Sequence, residues 1–188
     1  MAIKEPIRAG GRSARIQAAV HEAVKRLSET SRRETLTVPQ IACAAGVTPS
    51  TIYRRWGDLP ALLADIAIER LRPTGEPDDT GAMATDLSAF IEQYADEMSS
   101  PVGQAMLRDV LAPSGDSFPG RCCAFTRMHL ETIAARAKAR GERPFDIEEV
   151  IDHVVAPIVY HILFSDRAVT PAYCRTLLAR VRSLPQAG

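Results

Sequence analysis

Thr37-Val38-Pro39-Gln40-Ile41-Ala42-Cys43-Ala44-Ala45-Gly46-Val47-Thr48-Pro49-Ser50-Thr51-Ile52-Tyr53-Arg54-Arg55-Trp56 is the stretch on which the fold turns. Thr37 followed three residues later by Gln40 has the pattern of a capping box, in which the hydroxyl takes the N3 amide and the Gln side chain returns to the N-cap amide. Thr48-Pro49 sets an N-cap hydroxyl before a proline whose fixed φ suits the first helical position. Between the two starts, Gly46 supplies the left-handed backbone with which helices commonly end. Two short helices around a glycine turn make a helix-turn-helix. Val38, Ile41, Ala42 and Ala45 on the first can pack against Val47 and Ile52. The second then presents Pro49, Ser50, Thr51, Tyr53, Arg54 and Arg55 outward. Short polar groups at a helix N-terminus, followed by Tyr and Arg, suit the major groove and its phosphate walls. Helix N-termini also attract phosphate through their free N–H groups.

Outward from this stretch the pattern stays helical. Ile16, Val20, Ala23, Val24 and Leu27 fall on one face of a preceding helix, and Leu59, Leu62, Leu63 and Ile66 repeat at helical spacing after it. Leu87, Phe90, Ile91, Tyr94 and Met98 do the same later. Val150, Ile151, Val154, Val155, Ile158, Val159, Ile162 and Leu163 predict a helix apolar around much of its circumference. Such a helix is either central within one chain or paired with a copy of itself. On the second reading Val150, Val154, Ile158, Ile162, Leu177 and Val181 form a dimer interface. Asp146 with Glu149, and Thr170 before Pro171, mark helix starts; Gly141 marks an end; Pro157 predicts a kink or a bulge. Residues 72–81 have the composition of a linker, and a second loop is expected over 113–120. Strand patterns are almost absent. The expected fold is all-α with about nine helices: a small four-helix N-terminal unit to about residue 72, then a helical body of about five helices.

Composition narrows the classes. The chain has 188 residues, 46% of them apolar, enough for one domain or two small ones without a covalent staple. No apolar run approaches the roughly 20 residues a membrane helix needs. Arg8, Arg12 and Arg15 interrupt any apolar leader, so no membrane association and a cytoplasmic location are expected. Four cysteines, two of them adjacent (Cys122 and Cys123), make no disulfide framework and read as small buried residues, a redox or metal role being the other reading. The zero net charge hides a split: residues 1–72 carry twelve Lys and Arg against seven acids, and the remainder eleven against sixteen. A polyanion is therefore expected at the N-terminal part. No metal-binding, cofactor-binding or Gly-rich phosphate motif is present, so neither metal nor cofactor is expected. His129, His153 and His161 read as surface or hydrogen-bonded histidines. An enzyme using His129 with Cys122 or Cys123 would lack a third group at recognisable spacing.

Residues 12–72 resemble the DNA-binding region of TetR-type transcriptional regulators. The marks are the Thr37-capped helix, Ile41-Ala42, Ala45-Gly46-Val47, Thr51-Ile52-Tyr53, and Ala61-Leu62-Leu63 in the following helix. More loosely, Pro101-Val102-Gly103-Gln104-Ala105, Arg140-Gly141-Glu142 and Ala156-Pro157-Ile158-Val159-Tyr160-His161-Ile162-Leu163-Phe164 resemble one C-terminal subfamily, in which a proline-bearing helix is followed by a short loop and a last helix. The resemblance implies a three-helix DNA-binding domain over 1–58, a connecting helix and linker over 59–81, and an effector-binding and dimerisation domain over 82–188. It also implies a homodimer on a pseudo-palindromic double-stranded operator, acting as a repressor released by a small, mostly apolar effector. The alternative is a helical ligand-binding or dimerisation protein with lost DNA affinity. By the same resemblance Thr37, Thr51 and Tyr53 match phosphate-binding positions, Pro49, Ser50 and Arg54 positions near base edges, Arg55 either, and Arg12 the basic arm. With Thr48 these make up the expected DNA-contacting set. Phe90, Tyr94, Met106, Phe125, Met128 and Tyr160 are expected to line the effector pocket. Two positions depart from the pattern. Leu59 stands where the family usually has a phosphate-gripping Lys, and Pro39 where many members carry a polar residue.

Overall fold

The computed structural model describes residues 11–30, 35–113 and 117–181. Among them are nine helices and no strand: α1 (Gly11–Thr30), α2 (Val38–Ala45), α3 (Pro49–Trp56), α4 (Leu59–Leu71), α5 (Met83–Ser99), α6 (Pro101–Leu111), α7 (Ser117–Ala139), α8 (147–164) and α9 (Pro171–Leu178). Two compact units divide within α4, between Ile66 and Ala67.

In the first unit α1, α2, α3 and the opening turns of α4 enclose one core. Val20, Ala23 and Val24 of α1 meet Val38, Ile41 and Ala42 of α2, Ile52 of α3, and Leu62 and Ile66 of α4. The expected caps account for the ends. Thr37 and Gln40 form the complete capping box, each side chain satisfying the other's backbone N–H. Gly46 then ends α2 at φ +66°, and the Val47 N–H closes the turn on the Ala42 carbonyl. Asp58 caps α4 through the Ala61 N–H at 2.8 Å.

In the second unit α5, α7, α8 and α9 surround the main core, with Leu87, Ile91, Leu130, Ile133, Val150, Val154, Ile158 and Val181 at its centre. α8 runs as Ile147–Val150, a π turn over Ile151–Val155, and Ala156–Phe164. The π turn is the expected response to Pro157. The Ala156 N–H reaches the Ile151 carbonyl, five residues back, so the helix widens just before the residue that has no N–H to give. Asp146 and Thr170 cap α8 and α9. A smaller cluster joins Ala67, Ile68 and Leu71 at the end of α4 to Val110, Met106, Phe118 and Phe125.

The segment 72–81 is more than a linker. Pro77 is buried, and its carbonyl accepts from Arg136. Arg136 also pairs with Glu76, and Arg140 with Asp79 at 3.0 Å. The segment is a strap fixed to the end of α7 by two arginines that composition did not connect to it. The middle of the second expected loop, residues 114–116, lies outside the described residues.

Candidate nucleic-acid interface and ligand cavity

α3 is held on one side and open on the other. Ile52 is fully buried, while Pro49, Ser50 and Arg54 are exposed and Tyr53 is 49% exposed. Thr51 is half-buried. Arg54 has no hydrogen-bond or ionic partner among the described residues, so its guanidinium points a free charge outward at the last turn. Further contacts fix the helix. Arg55 donates to the Ser13 carbonyl at 3.0 Å, to the Ser13 hydroxyl and to the Gln17 side chain at 2.6 Å, and lies 5.1 Å over the Trp56 ring. The Trp56 indole donates to Asp65 of α4 at 3.0 Å. The same carboxylate is met by His21 at 3.2 Å and Gln17 at 3.3 Å from α1. A polar network thus ties the C-terminal end of α3 to α1 and α4.

Several expectations change at this surface. Thr48 has N-cap backbone angles, but its hydroxyl makes no capping bond. It lies 2.9 Å from the Ser50 hydroxyl and 3.0 Å from that of Thr51, while the Thr51 N–H donates to the Thr48 carbonyl. Arg55 positions α3 against α1, since its guanidinium is already engaged. Leu59 packs against the first core, so the family's lysine site serves packing here. Arg12 is exposed in the first turn of α1, and Lys4 and Arg8 lie outside the described residues.

The second unit contains a cavity of about 560 Å³. Phe90 and Tyr94 of α5, Met106 of α6 and Phe125 of α7 line it as expected by position. Met128 and Tyr160 do not: at 45% and 58% exposed they point to solvent, on the outer sides of their helices. Other lining residues were not expected. The strap supplies 72–78, the last turn of α4 supplies Arg70 and Leu71, and α7 adds Cys122, Thr126 and His129. Cys122, Phe125, Thr126 and His129 follow the i, i+3, i+4, i+7 spacing of one helix face, so the sequence held the signal for His129. Burial pushes the Cys122 thiol up to about 11, with the neighbouring Cys123 adding to the effect. Burial likewise raises the Tyr94 phenol well above its ordinary range, despite a hydrogen bond with Thr126.

The expected dimer residues need correction. Val150, Val154, Ile158 and Val181 are fully buried and Leu177 nearly so, all within the chain's own core. Ile162 is half-buried against the same core. α8 is central because α5, α7 and α9 cover it, and side chains already enclosed cannot meet a second chain. What α8 leaves open is a different edge: Ala156, Tyr160 and Phe164, one turn apart, with the last two rings 5.7 Å from each other.

Among the described residues no group of three or more metal-ligating side chains could hold an ion, and no helix is long and apolar enough to cross a membrane. Comparison with known proteins adds the following. Residues 77–181 match the family model of the tetracyclin repressor-like C-terminal domain. The HTH-type transcriptional regulator AqdR of Rhodococcus erythropolis is 29% identical over 139 residues, covering 72% of this chain and 67% of that protein. The HTH-type regulator YdeS of Bacillus subtilis is 25% identical over 155 residues, 77% of each chain. The crystal structure of the TetR family transcription regulator SCO0332 superposes with a TM-score of 0.66 at 22% identity, covering 90% of this chain and 98% of that one. A TetR-family regulator from Mesorhizobium loti superposes at 0.56 with 13% identity, over 90% and 96% of the two chains.

Proposed function

Because the chain belongs to the TetR family of transcriptional regulators, which are not enzymes, we propose that it binds double-stranded DNA through the open edge of α3 and represses transcription from that site. The observation that carries this reading is the exposed run Pro49, Ser50, Tyr53 and Arg54 on a helix anchored from behind by Ile52, Arg55 and Trp56. Ser50 and Arg54 face base edges. Thr37, Thr48, Thr51 and Tyr53 contact phosphate with the N-termini of α2 and α3, and Arg12 meets the backbone beside them. The protein acts as a homodimer joined along the Tyr160–Phe164 edge of α8. Its operator is therefore a pseudo-palindrome with half-sites about 34 Å apart or more.

The cavity of the second unit takes a small, mostly apolar effector. α4 begins in the first core and ends in the cavity wall, so a ligand that shifts its last turn favours one setting of α3 over another. The size of that coupling is limited by the ligand's differential affinity, typically about 1–3 kcal/mol.

The test is selection of duplexes from a random-sequence pool by the purified protein. Recovery of a two-fold symmetric consensus is expected. Recovery of no consensus, with the protein folded and dimeric, would favour a ligand-binding protein that has lost DNA affinity, the outcome to which Leu59 in the lysine's place would then contribute.

A further inference from the structure

One atom in the cavity wall is not explained by packing. Nε2 of His129 is buried and has no hydrogen-bond partner among the described residues. Buried polar atoms are nearly always paired, and this one belongs to a side chain that lines the cavity. The ring stands edge-on to Phe90 with centroids 5.2 Å apart and planes at 75°. Tyr94 and Thr126 are polar neighbours in the same wall. Around it the lining is aromatic and thioether: Phe90, Phe125, Met98 and Met106.

The same lining disfavours charge. Burial raises both the Cys122 thiol and the Tyr94 phenol, which means an anion formed there is poorly solvated. The exposed rim brings Arg70 and Arg72, but also Glu76, Asp78 and Glu97, so it offers no net positive charge to an anionic ligand.

We propose that this cavity takes an uncharged, flat, mostly apolar molecule carrying a single hydrogen-bonding group, and that His129 selects it by pairing with that group. This deepens, and rests on, the reading of the cavity as the effector site. The aromatic and methionine side chains receive the ring system, and His129 distinguishes a molecule bearing a hydroxyl, N–H or carbonyl from the bare hydrocarbon.

The test uses three probes that share one ring system: 1-naphthol, naphthalene and 1-naphthoate. Calorimetric titration of the full chain at pH 7 is expected to rank naphthol about tenfold above naphthalene and roughly a hundredfold above naphthoate. In His129→Leu the naphthol preference over naphthalene should fall to less than about twofold. His129→Gln, which keeps a hydrogen-bonding group, should retain part of it. Far-ultraviolet circular dichroism checks that each variant is folded, and should the leucine variant unfold, the glutamine variant with His129→Phe decides. Equal binding of naphthalene and naphthol, tightest binding of naphthoate, no binding of any probe, or an unchanged preference in the folded variants would each overturn the inference. The same titrations repeated in the presence of the selected operator separate the two readings. His129-dependent naphthol binding that leaves DNA affinity unchanged keeps the ligand assignment and overturns the effector role.

Discussion

Asp86 is fully buried, the only charged side chain so placed among the described residues. Burial opposes its ionisation, but the Thr80 hydroxyl and backbone N–H and the Arg140 guanidinium, at 2.7 Å, outweigh that and hold its carboxyl below the usual range. A carboxyl with a folded-state pKa below its unfolded value contributes stability in full above the unfolded value, about 3.9, and loses it as the pH falls through the folded one. Asp86→Asn should therefore cost about 2 kcal/mol at pH 7, since Arg140 loses a partner while staying partly solvated. It should also flatten the loss of stability below about pH 4; urea unfolding at pH 7 and pH 3 measures both. A second expectation concerns thiols. Alkylation proceeds through the thiolate, so iodoacetamide at pH 8 should label exposed Cys43 and Cys123 well before Cys122 or buried Cys174, as peptide mass mapping over time would record. At this scale the sequence was legible wherever a side chain acts on its own backbone. Thr37, Asp146 and Thr170 cap as their local patterns predict. Partners distant in the chain were not legible: nothing near Asp65 announces Trp56, His21 and Gln17, and nothing near Arg140 announces Asp86.

Elements repeat the lesson. Apolar periodicity identified α8 and Pro157 identified its irregular turn, because both are local properties of backbone and side-chain direction. Which neighbour covers an apolar face is a tertiary matter, and there the reading failed. The residues expected between two chains, Val150, Val154 and Ile158 among them, are enclosed by α5, α7 and α9. The strap shows the opposite error, since a proline- and acid-rich composition reads as free linker until Arg136 and Arg140 come into view. One junction has a sharp prediction. A Cβ on Gly103 would lie 2.1 Å from the Glu97 carbonyl oxygen and 2.7 Å from Met98 Cα, both backbone atoms that no rotamer change can move aside. Gly103→Ala should force α5 and α6 apart and cost about 1–3 kcal/mol, seen as a lower Tm in thermal unfolding.

For the molecule as a whole, the dimer reading transfers from the enclosed stripe of α8 to its open edge. Tyr160→Glu combined with Phe164→Glu should yield a folded monomer by sedimentation, with unchanged helix content. A variant that remains dimeric would place the partner elsewhere. Val154→Glu should instead destabilise the chain itself, because it buries a charge without a partner. The assignment of DNA recognition to α3 has one decisive measurement: the affinity of the wild-type protein and of Arg54→Ala for the selected operator, over a series of salt concentrations. For the wild type, log K should fall linearly with log salt, with a slope of about 0.9 per phosphate neutralised. Arg54→Ala should lose preference for the operator over scrambled duplex by roughly 1–3 kcal/mol. An affinity insensitive to salt, or an operator preference untouched by the loss of Arg54, would contradict that assignment.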